Sequence, residues 1–193
     1  MFAKMVAAAF LALTAENLLF SGGVGFSRAL RAARRPSSLA VYSLFAALFS
    51  LGAAGAGILL NPYLEGARGE FLRPAAFTAA AALMYLAASF VLRRLFPSFY
   101  ERNAGPLAQS AANTAVVAVP LVQQIFGFGP AQAVGYALGT GVSFFLASLV
   151  LSCAMKTCTN PDMPEAFSGL PAAFLYVGVL SLAFAGFTGG RVF

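Results

Sequence analysis

Six runs of about 20 largely apolar residues, separated by short connections rich in proline and arginine, constrain this chain most strongly. A helix needs roughly 20 apolar residues to cross the ~30 Å hydrocarbon core of a bilayer. Only 9% of the 193 residues are charged, against roughly 25% in soluble domains. The pattern predicts an all-α integral membrane protein with spans at 4–26, 39–61, 74–92, 105–126, 131–155 and 170–188.

The connections support this division into spans. Nearly all prolines, including Pro74 and Pro106, are expected in connections or near span ends, where a missing N–H costs little. Pro120 is the exception, because it lies inside span four and predicts a kink there. The first run is not followed by a cleavage site and a polar domain, so it is expected to be a retained span and not a signal peptide.

Lysine and arginine are distributed unequally between the two predicted sides. One side holds eight of them, Arg28, Arg31, Arg34, Arg35, Arg93, Arg94, Arg102 and Lys156; the other holds four, Lys4, Arg68, Arg73 and Arg191. The positive-inside rule makes the first side cytoplasmic and places both termini outside the cell's inner membrane. The net charge of +6 therefore indicates topology and contact with lipid, and no nucleic-acid partner is expected.

An internal period divides the chain into two units of three spans, 1–97 and 98–193, within a single membrane domain. Ala15-Glu16-Asn17 returns as Ala111-Ala112-Asn113, 96 residues later. Because three is an odd number, the second unit must enter the membrane from the opposite face. The layout predicts two inverted three-helix repeats, each with an interrupted first helix, as in many transport proteins.

Polar residues inside these spans are the candidates for function. Glu16, Asn17 and Asn113 are the ion-pathway candidates, since ionisable or polar groups at membrane depth usually face a partner or a pathway. If the repeats pair, Asn17 and Asn113 are expected to face each other. The alternative is structural, in which both asparagines, together with Gln109, hydrogen-bond between helices.

Glycines interrupt span one directly after this polar pair. Gly22, Gly23 and Gly25 predict backbone that leaves the helix, either for a functional break or for close helix contact. Two further patterns, Gly52-x-x-x-Ala56 and Gly135-x-x-x-Gly139, are typical of helix-packing faces.

The remaining features favour a non-catalytic subunit. The arginines at 28, 31 and 35 predict a topogenic stripe that binds headgroups, with docking of an acidic soluble partner as the alternative. Cys153 and Cys158 are too few for a disulfide framework or a four-ligand metal site, and their role stays open. The chain has no His and no phosphate loop, zinc motif or catalytic triad.

In their order along the chain, four segments resemble the Rnf/Nqr family of membrane subunits, and specifically its RnfA/NqrE type. They are VLRRLFPSFY at 91–100, AANT at 111–114, DMPEAFSG at 162–169 and SLAFAGFTG at 181–189. The resemblance covers essentially the whole chain. It implies an ion-translocating complex of the ferredoxin:NAD or NADH:quinone oxidoreductase type, in which such a subunit lies beside a homologous partner of opposite topology and other Rnf/Nqr-like subunits.

The resemblance also implies a [2Fe–2S] cluster shared between the paired subunits, each contributing cysteines from its interrupted helices. In this chain the ligand position of span four is Thr114, and the break with Gly22, Gly23 and Gly25 has no cysteine. Since such clusters require thiolates, no cofactor is predicted within this chain. The expected function is a scaffold or ion-path subunit. The alternative is a permease component, such as a substrate-binding subunit of the energy-coupling-factor type.

Overall fold

The computed structural model describes residues 1–64, 66–157, 164 and 169–186, and this part of the chain is helical without strands. Its α-helices are α1 Phe2–Leu13, α2 Phe26–Ala33, α3 Leu39–Leu60, α4 Ala67–Leu95, α5 Pro97–Ala111, α6 Thr114–Ile125, α7 Pro130–Thr157 and α8 Leu170–Ala185. Short 3-10 turns at Pro36–Ser38 and Asn61–Leu64 flank α3. The all-helical prediction is confirmed.

Three helices, α3, α4 and α7, are long and apolar enough to cross a membrane, while α1, α6 and α8 are shorter apolar helices. Residues 14–25 separate α1 from α2 within predicted span one. Ala112 and Asn113 separate α5 from α6 within predicted span four. Both interruptions therefore lie where the repeat pattern predicts them.

The predicted boundaries of spans three and four are wrong. Helix α4 occupies Ala67–Leu95 instead of 74–92, and α5 begins at Pro97 instead of 105. Pro74 and Pro106 consequently lie inside helices and not at their ends. Hydropathy reports only the apolar part of a helix, whereas a helix can continue into water because its backbone groups remain paired. Pro97 also favours an early start, since proline is well suited to the first helical position.

Close packing between α1 and α7 uses the predicted Gly135-x-x-x-Gly139 face. A Cβ at Gly135 would overlap the Met5 carbonyl oxygen, and one at Gly139 would lie 2.5 Å from the Ala9 carbonyl oxygen. The contacts advance in the same direction along both helices, so α1 and α7 run parallel.

Contacts of α3 fix the directions of its neighbours. A Cβ at Gly141 of α7 would overlap Ala47, while Ala54 packs in the same cluster as Ala133, so α3 and α7 are antiparallel. The Ser110 hydroxyl donates to the Tyr42 carbonyl at 3.1 Å. Further along, the α3 backbone at Gly57 packs against Gln123 of α6. Helix α3 is therefore parallel to α5 and α6.

Helix α8 runs opposite to the end of the first interrupted span. Phe20 stacks on Phe184 with ring centroids 4.9 Å apart, and Phe26 lies 5.5 Å from Phe174. Rising numbers on one segment meet falling numbers on the other, so the two segments are antiparallel.

Small side chains fill much of the core between these helices. One cluster joins α2, α3 and α7, a second joins α1, α6 and α7, and a third joins α3 with α4, α5 and α6. Helix α4 is by contrast largely exposed along its apolar length. Cys158, most of the segment 162–169 and residues 187–189 of the predicted motif in span six lie outside the described residues.

Candidate functional site

The first helix break is a tight, side-chain-capped turn and not an extended linker. Helix α1 ends at Leu13, and the buried Asn17 side chain accepts hydrogen bonds from the backbone N–H groups of Leu19 and Phe20 at 3.1 and 3.2 Å. The Asn17 amide also donates to the Leu13 carbonyl at 3.2 Å. This one side chain therefore satisfies backbone groups on both sides of the interruption, as a helix cap does.

The second break uses the same chemistry in less space. Asn113 is extended, at φ −79° and ψ 124°, and its side-chain oxygen accepts from the Ala115 N–H at 3.1 Å. Asn is among the residues preferred at this position because its oxygen can pair with a free N–H of the first turn. The two asparagines that recur at the repeat offset are thus both caps of interrupted helices.

The two breaks meet at Gly25 and Thr114. The Gly25 N–H donates a hydrogen bond to the Thr114 hydroxyl oxygen at 2.9 Å. A Cβ at Gly25 would lie 2.6 Å from the Asn113 side-chain oxygen, and the residue has a φ of +83°. Only glycine combines this close approach with a left-handed backbone at low cost. Of the predicted pairs, the structure thus brings Asn113 to Gly25, whereas Asn17 bonds within its own break.

Gly22 and Gly23 have different surroundings from Gly25. Both are exposed, and a Cβ at Gly23 would have no atom within 4 Å, although its φ is +65°. A Cβ at Gly22 would be 3.1 Å from the Leu18 carbonyl oxygen of the same turn. These two glycines shape the turn, and Gly25 makes the contact between the breaks.

A cavity of about 670 Å³ borders the junction. Asn113 and Thr114 lie on its wall with Val24 from the first break, and Tyr85 and Thr78 contribute from α4. The rest of the lining is mainly alanine, from Ala81, Ala82, Ala108, Ala111, Ala112 and Ala118. The site is therefore a largely apolar recess with hydroxyl and amide groups at the helix break.

Glu16 lies on the first break, next to the capping asparagine, and is half-buried. Its backbone carbonyl accepts a hydrogen bond from the hydroxyl of Tyr136 at 3.1 Å. Tyr136 is fully buried on α7, so this bond fixes the break against a long helix. The carboxylate is consequently carried by backbone that is anchored on both sides.

A second tyrosine joins the other break to α3. The Tyr42 hydroxyl donates a hydrogen bond to the Gln109 side-chain oxygen, one turn before the break, and the adjacent Ser110 bonds to the Tyr42 carbonyl. Neither Tyr42 nor Tyr136 is among the residues predicted from the sequence. A tyrosine inside an apolar run is a usable signal, because a buried hydroxyl normally has a partner.

The donor set at the junction does not fit an iron–sulfur cluster. Within the described ranges, no group of three or more His, Cys, Asp or Glu residues is positioned to hold a metal ion. Thr114 offers a hydroxyl that is already hydrogen-bonded to Gly25, whereas a cluster requires thiolates. Cys153 lies elsewhere, exposed on the last turns of α7.

Comparisons with known proteins agree on one kind of relative. No family model matches the chain. The A subunit of the ion-translocating oxidoreductase complex of Cereibacter sphaeroides is 30% identical to it over 138 residues, which are 71% of this chain and 72% of that protein. The chain belongs to this RnfA family.

Other RnfA proteins show similar identity. In Aromatoleum aromaticum, the corresponding protein of the ion-translocating oxidoreductase complex is 30% identical over 68% of this chain. In Clostridium ljungdahlii, that of the proton-translocating ferredoxin:NAD(+) oxidoreductase complex is 29% identical over 62% of this chain. The matches span 66% and 62% of those two proteins, a little under two thirds of their length.

Membership confirms the resemblance to the RnfA/NqrE type drawn from the four sequence segments. Together with the three long apolar helices, it identifies this RnfA relative as a membrane protein.

Proposed function

We propose that this chain is a membrane component of an Rnf-type ion-translocating electron transport complex, in which it acts as a scaffold or ion-path subunit. The names of its relatives describe subunits of such complexes. The single observation that carries the role of this chain is the hydrogen bond between Gly25 and Thr114, which joins two interrupted helices at a cavity.

The proposed architecture is a six-span inverted repeat in the cell's inner membrane, with both termini outside. The first repeat consists of α1 with α2, then α3 and α4; the second consists of α5 with α6, then α7 and α8. The parallel pair α1 and α7 and the antiparallel pair α3 and α7 support alternating directions for the six spans. An Asn-capped break in the first span of each repeat is further support.

Within this proposal the junction has a structural role in place of ligation. Thr114 occupies the position at which the resemblance implies a cluster ligand, and its hydroxyl accepts a backbone hydrogen bond from the other break. The chain would therefore position helices at this point without supplying an iron–sulfur ligand of its own. Any [2Fe–2S] centre beside it would need its thiolates from partner subunits.

Glu16 is the proposed ion-path residue. Its carboxylate lies on anchored, non-helical backbone of the kind that membrane proteins keep where protein or water covers it. A carboxylate at membrane depth is costly and is usually retained for an ion or proton pathway. Asn17 and Asn113 hold the two breaks on either side of this path through their caps.

The proposed neighbour is a homologous subunit of opposite topology. Its docking surface would be the exposed side of α4 together with the alanine-lined recess beside Thr114. Small residues allow helix backbones to approach closely, which is the main source of helix association in lipid.

Anaerobic purification of the native complex, followed by mass spectrometry and iron analysis, tests the assignment. We expect related oxidoreductase subunits to co-purify, and we expect the isolated chain to lack stoichiometric iron. Co-purification with an ATPase pair or a released small ligand would instead support a permease component. Two irons per pair of subunits that persist after Cys153→Ser and Cys158→Ser would support the partner's thiolates as ligands.

Substitution of Glu16 tests the ion path separately. Glu16→Gln keeps the size of the side chain and removes its charge, so we expect ion-coupled activity to fall by at least tenfold while the complex still assembles. Glu70→Gln is the matched control, because Glu70 is exposed at the start of α4. Unchanged coupling in the Glu16 variant would assign that residue a structural role.

A further inference from the structure

Helix α2 presents two sharply different faces. Ala29, Ala32 and Ala33 are 0 to 3% exposed and pack into the cluster with α3 and α7. The opposite side, here called the arginine face, consists of Arg28, Arg31, Arg34 and Arg35, of which the last three are exposed and Arg28 is half-buried. Burial of the alanines fixes the rotation of α2, so the arginines cannot turn inward.

The arginine face has no acidic neighbour along the chain. No Asp or Glu occurs between Glu16 and Glu65, and α2 has no acidic residue in its first turn. Four guanidinium groups within eight residues repel each other unless an anion lies between them. Arginine is well suited to a phosphate, because its planar group donates two parallel hydrogen bonds.

An apolar surface borders the arginine face on one side. Phe26 and Leu30 lie one turn apart on α2, and the Phe26 ring is 5.5 Å from Phe174 of α8. Phe174 is 56% exposed, and Leu170, one turn earlier on α8, is also exposed. Cationic groups therefore adjoin a large exposed apolar surface at the end of the helix bundle.

We propose that the arginine face of α2 binds the phosphate of an anionic phospholipid whose acyl chains lie against Phe26 and α8. The arginines account for recognition of the headgroup, and the exposed rings account for recognition of the chains. An acidic soluble protein would use the arginines and would gain little from Phe174, which is why the apolar border favours lipid. The inference is independent of the electron-transport role proposed above.

Native mass spectrometry of the full chain in detergent measures this binding directly. The probes are dioleoyl phosphatidylglycerol, dioleoyl phosphatidylcholine and inorganic phosphate. Basic residues near an anionic surface contribute about 1 kcal/mol each, so we expect Arg31→Gln with Arg34→Gln and Arg35→Gln to weaken phosphatidylglycerol binding roughly 100-fold. Phosphatidylcholine should bind weakly to both forms, and millimolar inorganic phosphate should not displace phosphatidylglycerol.

The control removes the same charge elsewhere on the predicted cytoplasmic side. Arg93→Gln with Arg94→Gln and Arg102→Gln is expected to change phosphatidylglycerol binding less than threefold, because Arg93 already bonds and stacks on Tyr100. Equal losses in both triple variants would mean that general positive charge binds the lipid, and would overturn a site at α2.

Two further variants keep the test decisive if the glutamine variant inserts poorly. Replacement of the same three arginines by lysine keeps the charge that sets topology, and we expect a several-fold weakening from the lost paired hydrogen bonds. Phe174→Asn changes an exposed residue, and we expect it to weaken phosphatidylglycerol binding at least threefold. Full lipid affinity in the Phe174 variant, or displacement of the lipid by inorganic phosphate or an acidic peptide, would overturn the proposal.

Discussion

Gly25 meets two demands that only glycine satisfies together. Its backbone has a φ of +83°, and its Cα lies so close to the second break that a Cβ would be 2.6 Å from the Asn113 side-chain oxygen. The neighbouring Gly23 meets the first demand alone, because the space around it is open. Sequence shows a cluster of glycines, and only the packed structure separates the one that forms the junction.

Gly25→Ala is expected to destabilise the protein by about 2 kcal/mol or more, from left-handed strain and steric overlap. The measurement is the thermal unfolding midpoint of the purified chain in detergent. Gly55→Ala is the control, because Gly55 lies within α3 and its Cβ would meet no atom within 4 Å. A Gly25 variant as stable as the Gly55 variant would contradict the contact between the breaks.

At the scale of elements, the interrupted helices depend on their long neighbours. Tyr136 of α7 holds the backbone of Glu16, and Tyr42 of α3 holds Gln109 beside the second break. Helix α1 is attached in turn by the glycines of α7, which let its backbone approach closely. The breaks are therefore positioned by helices that are themselves continuous.

Gly139→Ala tests this attachment, since the added methyl group would lie 2.5 Å from the Ala9 carbonyl oxygen. Overpacking of this kind costs about 1–3 kcal/mol, and we expect faster hydrogen exchange of the backbone amides in α1. Gly178→Ala, on α8 with no atom within 4 Å of the added group, is the matched control. Exchange in α1 that is the same in both variants would show that α1 does not depend on this face.

Element boundaries illustrate where sequence reasoning fails. The start and end of α3 agree with the prediction to within a residue, because apolar composition changes sharply at Ser38 and Asn61. For α4 and α5 the apolar signal ends while the helix continues, through Arg93 and Arg94 and then after Phe96. Hydropathy measures the match to lipid, whereas backbone hydrogen bonding decides where a helix ends.

For the whole molecule, charge asymmetry predicts orientation. Arginine near the ends of spans is retained on the cytoplasmic side during insertion. Ser37 lies in the exposed turn before α3, and Tyr63 is 86% exposed in the turn after it. These two positions are at opposite ends of one membrane-length helix and report the orientation of the bundle.

Single cysteines at these positions, in a background of Cys153→Ser and Cys158→Ser, test the orientation with a membrane-impermeant maleimide on intact cells. We expect Tyr63→Cys to be labelled from outside and Ser37→Cys to be labelled only after the membrane is permeabilised. The reverse pattern would place the arginine face outside, in conflict with the positive-inside rule.

The sequence by itself determined that the chain is an all-helical membrane protein, which family it resembles, and where two of its spans are interrupted. These properties follow from local composition, because lipid requires runs of apolar residues and asparagine and glycine mark a break within them. The partners of those breaks were decided only by the tertiary structure. Gly25 and Thr114 are 89 residues apart, and no local pattern encodes a contact that arises when helices from both halves of the chain pack together.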